Sequence, residues 1–111
     1  MALFLSQARF SGESWKALVG KPHDRRRIVA RVMKAHGCKL LHFYWAFGDC
    51  DVVAIFEAPD EKAAMAALMT IASGGALAEL RTTVLVDTAD ALDAMKAAKN
   101  TPNVYVPPGD A

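Results

Sequence analysis

Residues 40–57 constrain the fold more than any other stretch, because they have the pattern of one β-hairpin. The run from Lys39 to Phe47 is rich in aromatic residues and the run from Asp51 to Phe56 in β-branched ones, and such side chains suit a pleated strand. Gly48-Asp49-Cys50-Asp51 lies between them. Gly tolerates a positive φ and Asp bonds its own backbone, so this segment predicts a tight turn between two antiparallel strands.

A turn centred on Asp49 and Cys50 predicts the register of the hairpin. Tyr44 is then opposite Ile55, and His42 is opposite Glu57. Side chains alternate across a strand, so one face is predicted to be wholly apolar and the other mixed. The apolar face takes Leu41, Phe43, Trp45, Phe47, Val52, Ala54 and Phe56, and the mixed face takes Leu40, His42, Tyr44, Ala46, Val53, Ile55 and Glu57. Neither face alternates like a solvated one, so we expect helices on the first and another protein surface on the second.

The rest of the chain predicts two more strands and three helices, with a short helical turn near Trp15. The predicted elements are a strand over 2–10, a helix over 22–36 that Pro22 begins and Gly37 ends, a helix over 61–73 capped by Asp60, a strand over 77–87, and a helix over 89–99 capped by Thr88. The order β-α-β-β-α-β followed by a C-terminal helix is the ferredoxin-like pattern. It predicts an α+β fold with a four-stranded antiparallel sheet and two helices on one face.

One face of such a sheet stays bare, and leaving Tyr44, Val53 and Ile55 in water is unfavourable. Two sheets packed face to face would cover them, so we expect a homodimer in the form of a dimeric α+β barrel, braced by the last helix and the tail. Residues 1–99 are predicted to form a single domain. Residues 100–111 form a Pro-rich tail, whose Val104-Tyr105-Val106 segment either packs on a neighbour or is disordered.

Composition excludes several classes of protein. A chain of 111 residues can form one hydrophobic core without disulfides or metal ions to stabilise it. Its net charge of +1 gives no general attraction to nucleic acid or membrane. No apolar run reaches the roughly 20 residues of a membrane span, and the N-terminus lacks a secretory pattern, so we expect a cytoplasmic protein. Cys38 and Cys50 lie at opposite ends of one strand, beyond the reach of a disulfide. No zinc spacing is present, and we expect neither metal nor cofactor.

Four segments carry a family resemblance: residues 37–40 (Gly-Cys-Lys-Leu), 43–44 (Phe-Tyr), 47–60 and 80–83 (Leu-Arg-Thr-Thr). They are similar to the GYD domain family, which takes its name from a Gly, Tyr and Asp signature at the central turn. Gly48 and Asp51 match that signature, and Cys50 stands where the Tyr is expected. The resemblance covers residues 2–99. It implies a small bacterial protein with a dimeric α/β barrel fold and no assigned activity.

The candidate ligand-binding residues are His42, Tyr44, Glu57 and Arg81. A carboxylate opposite His42 would raise its pKa, and Arg81 would join the cluster if its strand has the matching phase. A His, Tyr and Arg cluster in an apolar lumen suits binding of an acid or polarisation of a carbonyl. In the simpler interpretation, His42 and Glu57 are a cross-strand polar pair.

These patterns leave two functions open: a homodimeric small-molecule-binding or structural barrel without chemistry, or a cofactor-independent oxygenase or isomerase that uses His42 and Tyr44. A third, a regulatory effector-sensing module, would need a DNA-binding segment that is not present in these residues. The first long helix is basic, with Arg25, Arg26, Arg27, Arg31 and Lys34. No aromatic residues are interleaved with these arginines, so we expect a solvated face and no nucleic-acid partner.

Overall fold

The computed structural model describes residues 1–111. Its elements are β1 (Ala2–Phe10), α1 (Gly12–Gly20), α2 (Arg25–Ala35), β2 (Lys39–Trp45), β3 (Val52–Ala58), α3 (Glu61–Ser73), β4 (Leu77–Leu85), α4 (Thr88–Lys99) and a 3-10 turn (Pro108–Asp110). The strands form one antiparallel sheet in the order β2-β3-β1-β4. The predicted α+β fold with ferredoxin-like topology is therefore confirmed, whereas its association into a dimeric barrel stays a prediction.

The first long helix begins three residues later than predicted. Its N-cap is Asp24, whose side chain accepts a hydrogen bond from the backbone N–H of Arg26 at 3.0 Å. A capping carboxylate satisfies a free N–H at the helix end, and Pro22 offers no such bond, so α2 starts at Arg25. Gly37 ends the helical segment as predicted, with a φ of 73° that favours glycine.

The other two long helices differ in how well their caps were predicted. Asp60 caps α3 as expected, because its side chain accepts a hydrogen bond from the backbone N–H of Ala63 at 2.8 Å. The predicted cap of α4, Thr88, is instead its first helical residue. Asp87 is the cap and accepts a hydrogen bond from the second residue of the helix at 2.9 Å. Strand β4 correspondingly ends at Leu85 and not at Asp87.

The hairpin between β2 and β3 has a different register from the predicted one. Tyr44 pairs with Val53 and not with Ile55, a shift of two residues. The cause is a longer connection, which closes where the backbone N–H of Ala46 donates to the carbonyl of Asp51 at 2.8 Å. A shift of two preserves the face of each side chain. The buried face of β3 therefore still carries Val52, Ala54, Phe56 and Ala58.

A β-bulge at Leu41 corrects a second prediction. The pairing is irregular between Leu40 and His42, so Leu41 is the extra residue in β2. Leu40 consequently pairs with Phe56 and packs against the core under the helices. Its predicted place on the mixed face is wrong, because one inserted residue reverses the alternation at the start of the strand.

The core lies between the sheet and the helices α2 and α3. The rings of Phe4 and Phe56 stack with centroids 5.3 Å apart, and Met33 of α2 packs against them. Ala64 and Ala67 of α3 are fully or almost fully buried, and their small side chains let this helix approach the sheet closely. Burial of a side chain such as Phe56 stabilises the fold by roughly 1.5–3 kcal/mol.

Helix α4 and the tail project away from this body as an arm, here defined as residues 88–111. No residue of α4 is buried, and the helix makes no extensive contact with another element. The radius of gyration is 18.3 Å and the longest dimension 60 Å, whereas a compact domain of this length has a radius of gyration of about 13 Å. Apolar side chains such as Leu92 and Met95 are therefore left in solvent along the arm.

Both cysteines are free and buried, as expected from the distance between them. Burial raises the pKa of the Cys38 thiol, and the negative charge of Asp60 raises it further. A neutral thiol at this position is consistent with packing in the core.

Candidate functional site

The sheet face opposite the helices, here called the open face, carries all four predicted site residues. Tyr44 pairs with Val53, Val53 with Gln7, and Gln7 with Arg81, so these side chains form one row across the four strands. The phase of Arg81 thus matches that of Tyr44. Three strand spacings of about 4.8 Å nevertheless separate the two residues by about 14 Å, too far for both to contact one small group.

The predicted pair of His42 and Glu57 is wrong. His42 lies opposite Ile55, and Glu57 lies opposite Lys39, as a result of the shifted register and the bulge. His42 instead stacks on Tyr44, with ring centroids 6.1 Å apart and planes inclined by 8°. No carboxylate therefore lies opposite this imidazole.

Arg81 has its own partner on the same strand. Its Nε lies 3.1 Å from Oε1 of Glu79, the only ion pair in the protein, and both side chains are exposed. Exposed pairs of this kind contribute little to stability. Of the four predicted residues, the structure brings together only His42 and Tyr44, and a role for the set in ligand binding stays a prediction.

A different site lies on the other side of the sheet, where a cavity separates the strands from α2 and α3. This inner cavity has a volume of about 50 Å³ and opens partly to solvent. Of its 13 lining residues, 11 are hydrophobic, which is typical of a pocket for an apolar small molecule. The lining comprises Ser6, Ala8, Phe10, Arg25, Val29, Met33, Phe43, Val52, Ala54, Leu68, Ile71, Leu77 and Leu80.

Small side chains in the central strands create this space. Ser6 and Ala8 of β1 and Ala54 of β3 point toward the helices, where larger residues would fill the gap. The hydroxyl of Ser6 is hydrogen-bonded to that of Thr82 at 2.7 Å, so it is already satisfied. Three small residues at inward positions of adjacent strands predict a cavity. This prediction requires the pairing of β1 with β3, which the sequence alone does not give.

Arg25 is the one charged residue that lines the inner cavity. Its Nε is buried and is the only buried side-chain nitrogen or oxygen without a hydrogen-bond partner. One terminal nitrogen lies 3.2 Å from Nε2 of His23. Because Nδ1 of His23 lies 3.1 Å from the carbonyl of Lys21, the ring can donate there and accept from Arg25 through Nε2. The guanidinium thus has donor capacity left at the edge of an apolar space.

The turn between β2 and β3 has a structural task. The carboxylate of Asp51 accepts hydrogen bonds from the backbone N–H of Phe10 at 2.9 Å and from Nε1 of Trp15 at 3.3 Å. The rings of Phe10, Trp15 and Trp45 pack together with centroids 5.7–5.8 Å apart. Asp51 therefore fixes the turn against β1 and α1, at the end of the inner cavity that Phe10 lines.

Every helix is too short or too polar to serve as a membrane span. No group of three or more His, Cys, Asp or Glu side chains is arranged to hold a metal ion.

Comparison with known proteins identifies the family of this chain. The solved structure of an uncharacterized NIPSNAP domain protein from Burkholderia xenovorans is 12% identical with a TM-score of 0.46, and 78% of this chain and 94% of that chain are covered. A crystal structure of a protein from Agrobacterium tumefaciens is 10% identical with a TM-score of 0.46, covering 78% and 92%. No curated protein sequence is significantly similar. The family model for the GYD domain matches residues 4–95. This match spans most of the sequence, so the chain belongs to the GYD domain family.

Proposed function

We propose that this protein is a homodimeric barrel that binds a slender, largely apolar small molecule in the inner cavity of each subunit. The observation that carries the proposal is the cavity itself, which has an almost wholly hydrophobic lining. Its volume is about 50 Å³, so the space is narrow. A flat ring or an unbranched chain suits this shape better than a bulky molecule does.

The affinity expected for a simple probe is modest. A ligand that buries about 150 Å² of apolar surface gains roughly 4 kcal/mol at about 25 cal/mol per Å², which corresponds to a Kd in the millimolar range. Additional polar contacts at Arg25 would strengthen binding. The proposed activity is therefore reversible binding, without a covalent step.

The same proposal includes a second copy of the chain as partner. Leu3, Leu5, Val53 and Ile55 line the open face, and Tyr44 is 60% exposed there. A twofold axis would cover both open faces at once, with the sheets about 10 Å apart. The arm supports this arrangement, because its apolar residues need a surface that their own subunit does not supply. His42, Tyr44, Glu57 and Arg81 would then lie between the two sheets.

The alternative function, an oxygenase or isomerase centred on His42 and Tyr44, gains no support from the geometry. His42 has no adjacent carboxylate, and the two rings stack on each other in the exposed sheet face. A general base is normally oriented by a third group, and none is present beside this pair.

Binding of 1-octanol, followed by calorimetry and by chemical-shift changes, tests the proposal. We expect Ala54→Leu to weaken binding by about tenfold, because the larger side chain fills the cavity from the sheet. Ala72→Leu makes the same substitution on the exposed surface of α3 and should leave binding unchanged. If Ala54→Leu fails to fold by circular dichroism, Val29→Phe fills the cavity from α2 and provides the same measurement. Absence of octanol binding, or equal binding by the filled and control variants, would overturn the proposal.

A further inference from the structure

We propose that the ligand of the inner cavity is an anionic amphiphile, whose carboxylate or similar acidic head is held by Lys21 and Arg25 outside the cavity. This inference rests on the proposed binding function and specifies the chemical class of the ligand. It comes from a second cleft that adjoins the first.

The second cleft, here called the basic cleft, lies between α1 and the start of α2. Its volume is about 270 Å³, so it is wider than the inner cavity. Phe10 and Arg25 line both spaces. The two spaces therefore adjoin each other, with an apolar end under the helices and a polar end at the surface.

The charged groups of the basic cleft all have the same sign. Lys21 and Arg25 line it together with His23 and Ser14, and no carboxylate does. The nearest acid in sequence, Asp24, caps α2 through the backbone N–H of Arg26. The net charge of the protein is only +1, so this concentration of basic groups is local. Uncompensated cations in a cleft attract an anion to that position.

Arg25 lies where the inner cavity and the basic cleft meet. Its Nε is buried and lacks an acceptor, while its terminal nitrogen is held 3.2 Å from His23 at the polar end. Arg25 has no carboxylate partner, since the only ion pair joins Arg81 and Glu79. A guanidinium with free donors at the mouth of an apolar slot suits a carboxylate, because such hydrogen bonds are charge-assisted and directional. The apolar part of the same molecule would then enter the inner cavity.

Three probes with the same chain but different heads test the inference on the full-length protein: octanoate, 1-octanol and octyltrimethylammonium. We expect octanoate to bind about tenfold more tightly than 1-octanol, and the ammonium probe to bind more weakly than either. Added salt should weaken octanoate binding and leave 1-octanol binding unchanged. Calorimetry gives the three dissociation constants under matched conditions.

Variants of two arginines on the same helix complete the experiment. Arg25→Gln should remove the advantage of octanoate while 1-octanol binding is retained, whereas Arg31→Gln, an exposed residue outside both spaces, should change neither. If 1-octanol binds and octanoate binds no better, the anionic ligand is refuted while the binding function stands. The same holds if Arg31→Gln acts like Arg25→Gln. If neither 1-octanol nor octanoate binds, the binding function and the anionic ligand are both refuted.

Discussion

The carboxylate of Asp51 accepts a hydrogen bond from the indole nitrogen of Trp15, with 3.3 Å between Oδ2 and Nε1. The same oxygen accepts from the backbone N–H of Phe10 at 2.9 Å. One side chain in the hairpin turn therefore satisfies two donors from β1 and α1. This contact gives the signature aspartate of the family a role in holding elements together, separate from any ligand.

Replacing Asp51 by alanine should destabilise the fold. We expect the free energy of unfolding to fall by about 1–3 kcal/mol, because two part-buried donors lose their acceptor. Urea denaturation monitored by tryptophan fluorescence measures the change. Asp49→Ala is the matched control, since the Asp49 side chain accepts no hydrogen bond and only its carbonyl is bonded, to Arg9. Equal stability of the two variants would contradict the anchoring role.

Replacing Tyr44 by alanine should weaken the proposed homodimer. Loss of a large aromatic side chain at the centre of an interface typically raises the Kd about 10- to 100-fold. Sedimentation velocity over a range of concentrations measures the Kd. Met65→Ala removes an exposed apolar side chain from α3, outside the open face, and serves as the control. A monomeric wild-type protein, or an unchanged Kd for Tyr44→Ala, would refute packing of the open faces.

Removing residues 88–111 should leave the sheet and its helices folded. The arm makes no extensive contact with its own body, so we expect the far-ultraviolet circular dichroism of the truncated chain to show a loss of helix only. We also expect weaker self-association in sedimentation, because the arm is proposed to contact the partner. Unfolding on truncation would indicate that the arm stabilises its own subunit, and unchanged association would exclude it from the interface.

Replacing His42 by alanine should change stability little. The side chain is exposed, and its ring stacks on that of Tyr44 without a hydrogen bond, so we expect a change within about 0.5 kcal/mol. Thermal unfolding measures this value against Phe56→Ala, which should lose about 3–5 kcal/mol from a fully buried position. A fall of several degrees in the Tm of His42→Ala would assign the residue a structural role.

Raising the pH should expose the effect of burying Cys38. Its pKa is raised by burial and then by the charge of Asp60, so the folded state binds this proton more tightly than the unfolded chain does. The resulting stability is present below the ordinary thiol pKa of about 8.5 and is lost as the pH rises through the higher pKa of the folded state. Urea denaturation at pH 7 and pH 10 should show a smaller loss for Cys38→Ala than for the wild type. An identical loss would contradict the buried neutral thiol.

Local chemistry made much of the fold predictable from the sequence. The alternation of β3 and the capping by Asp60 each depend on residues close in the chain, and each is confirmed. The ferredoxin-like order followed from the sequence of elements alone. The errors at Pro22 and Thr88 arose where an adjacent aspartate offered a better helix cap.

The register of the hairpin and the inner cavity depend on contacts that a linear pattern does not contain. The predicted pairing assumed a turn centred on Asp49 and Cys50. In the structure, the backbone hydrogen bond between Ala46 and Asp51 closes a longer connection, which shifts the pairing by two residues. The cavity requires Ser6, Ala8 and Ala54 to meet under two helices, and this follows only from the pairing of β1 with β3. In the sequence, Arg25 is likewise one of several basic residues of the first long helix. Only the structure shows that it lines the inner cavity.

The inserted residue at Leu41 divides β2 into two segments of opposite phase. Leu40 faces the core beside Phe56 only because that extra residue intervenes, and Lys39 faces outward for the same reason. If the same residues paired without the bulge, Leu41 would lie opposite Phe56, and Lys39 would lie opposite the buried Ala58 with its ammonium group turned toward the core. The bulge therefore keeps a charged group out of the core without any change in the sequence of the strand.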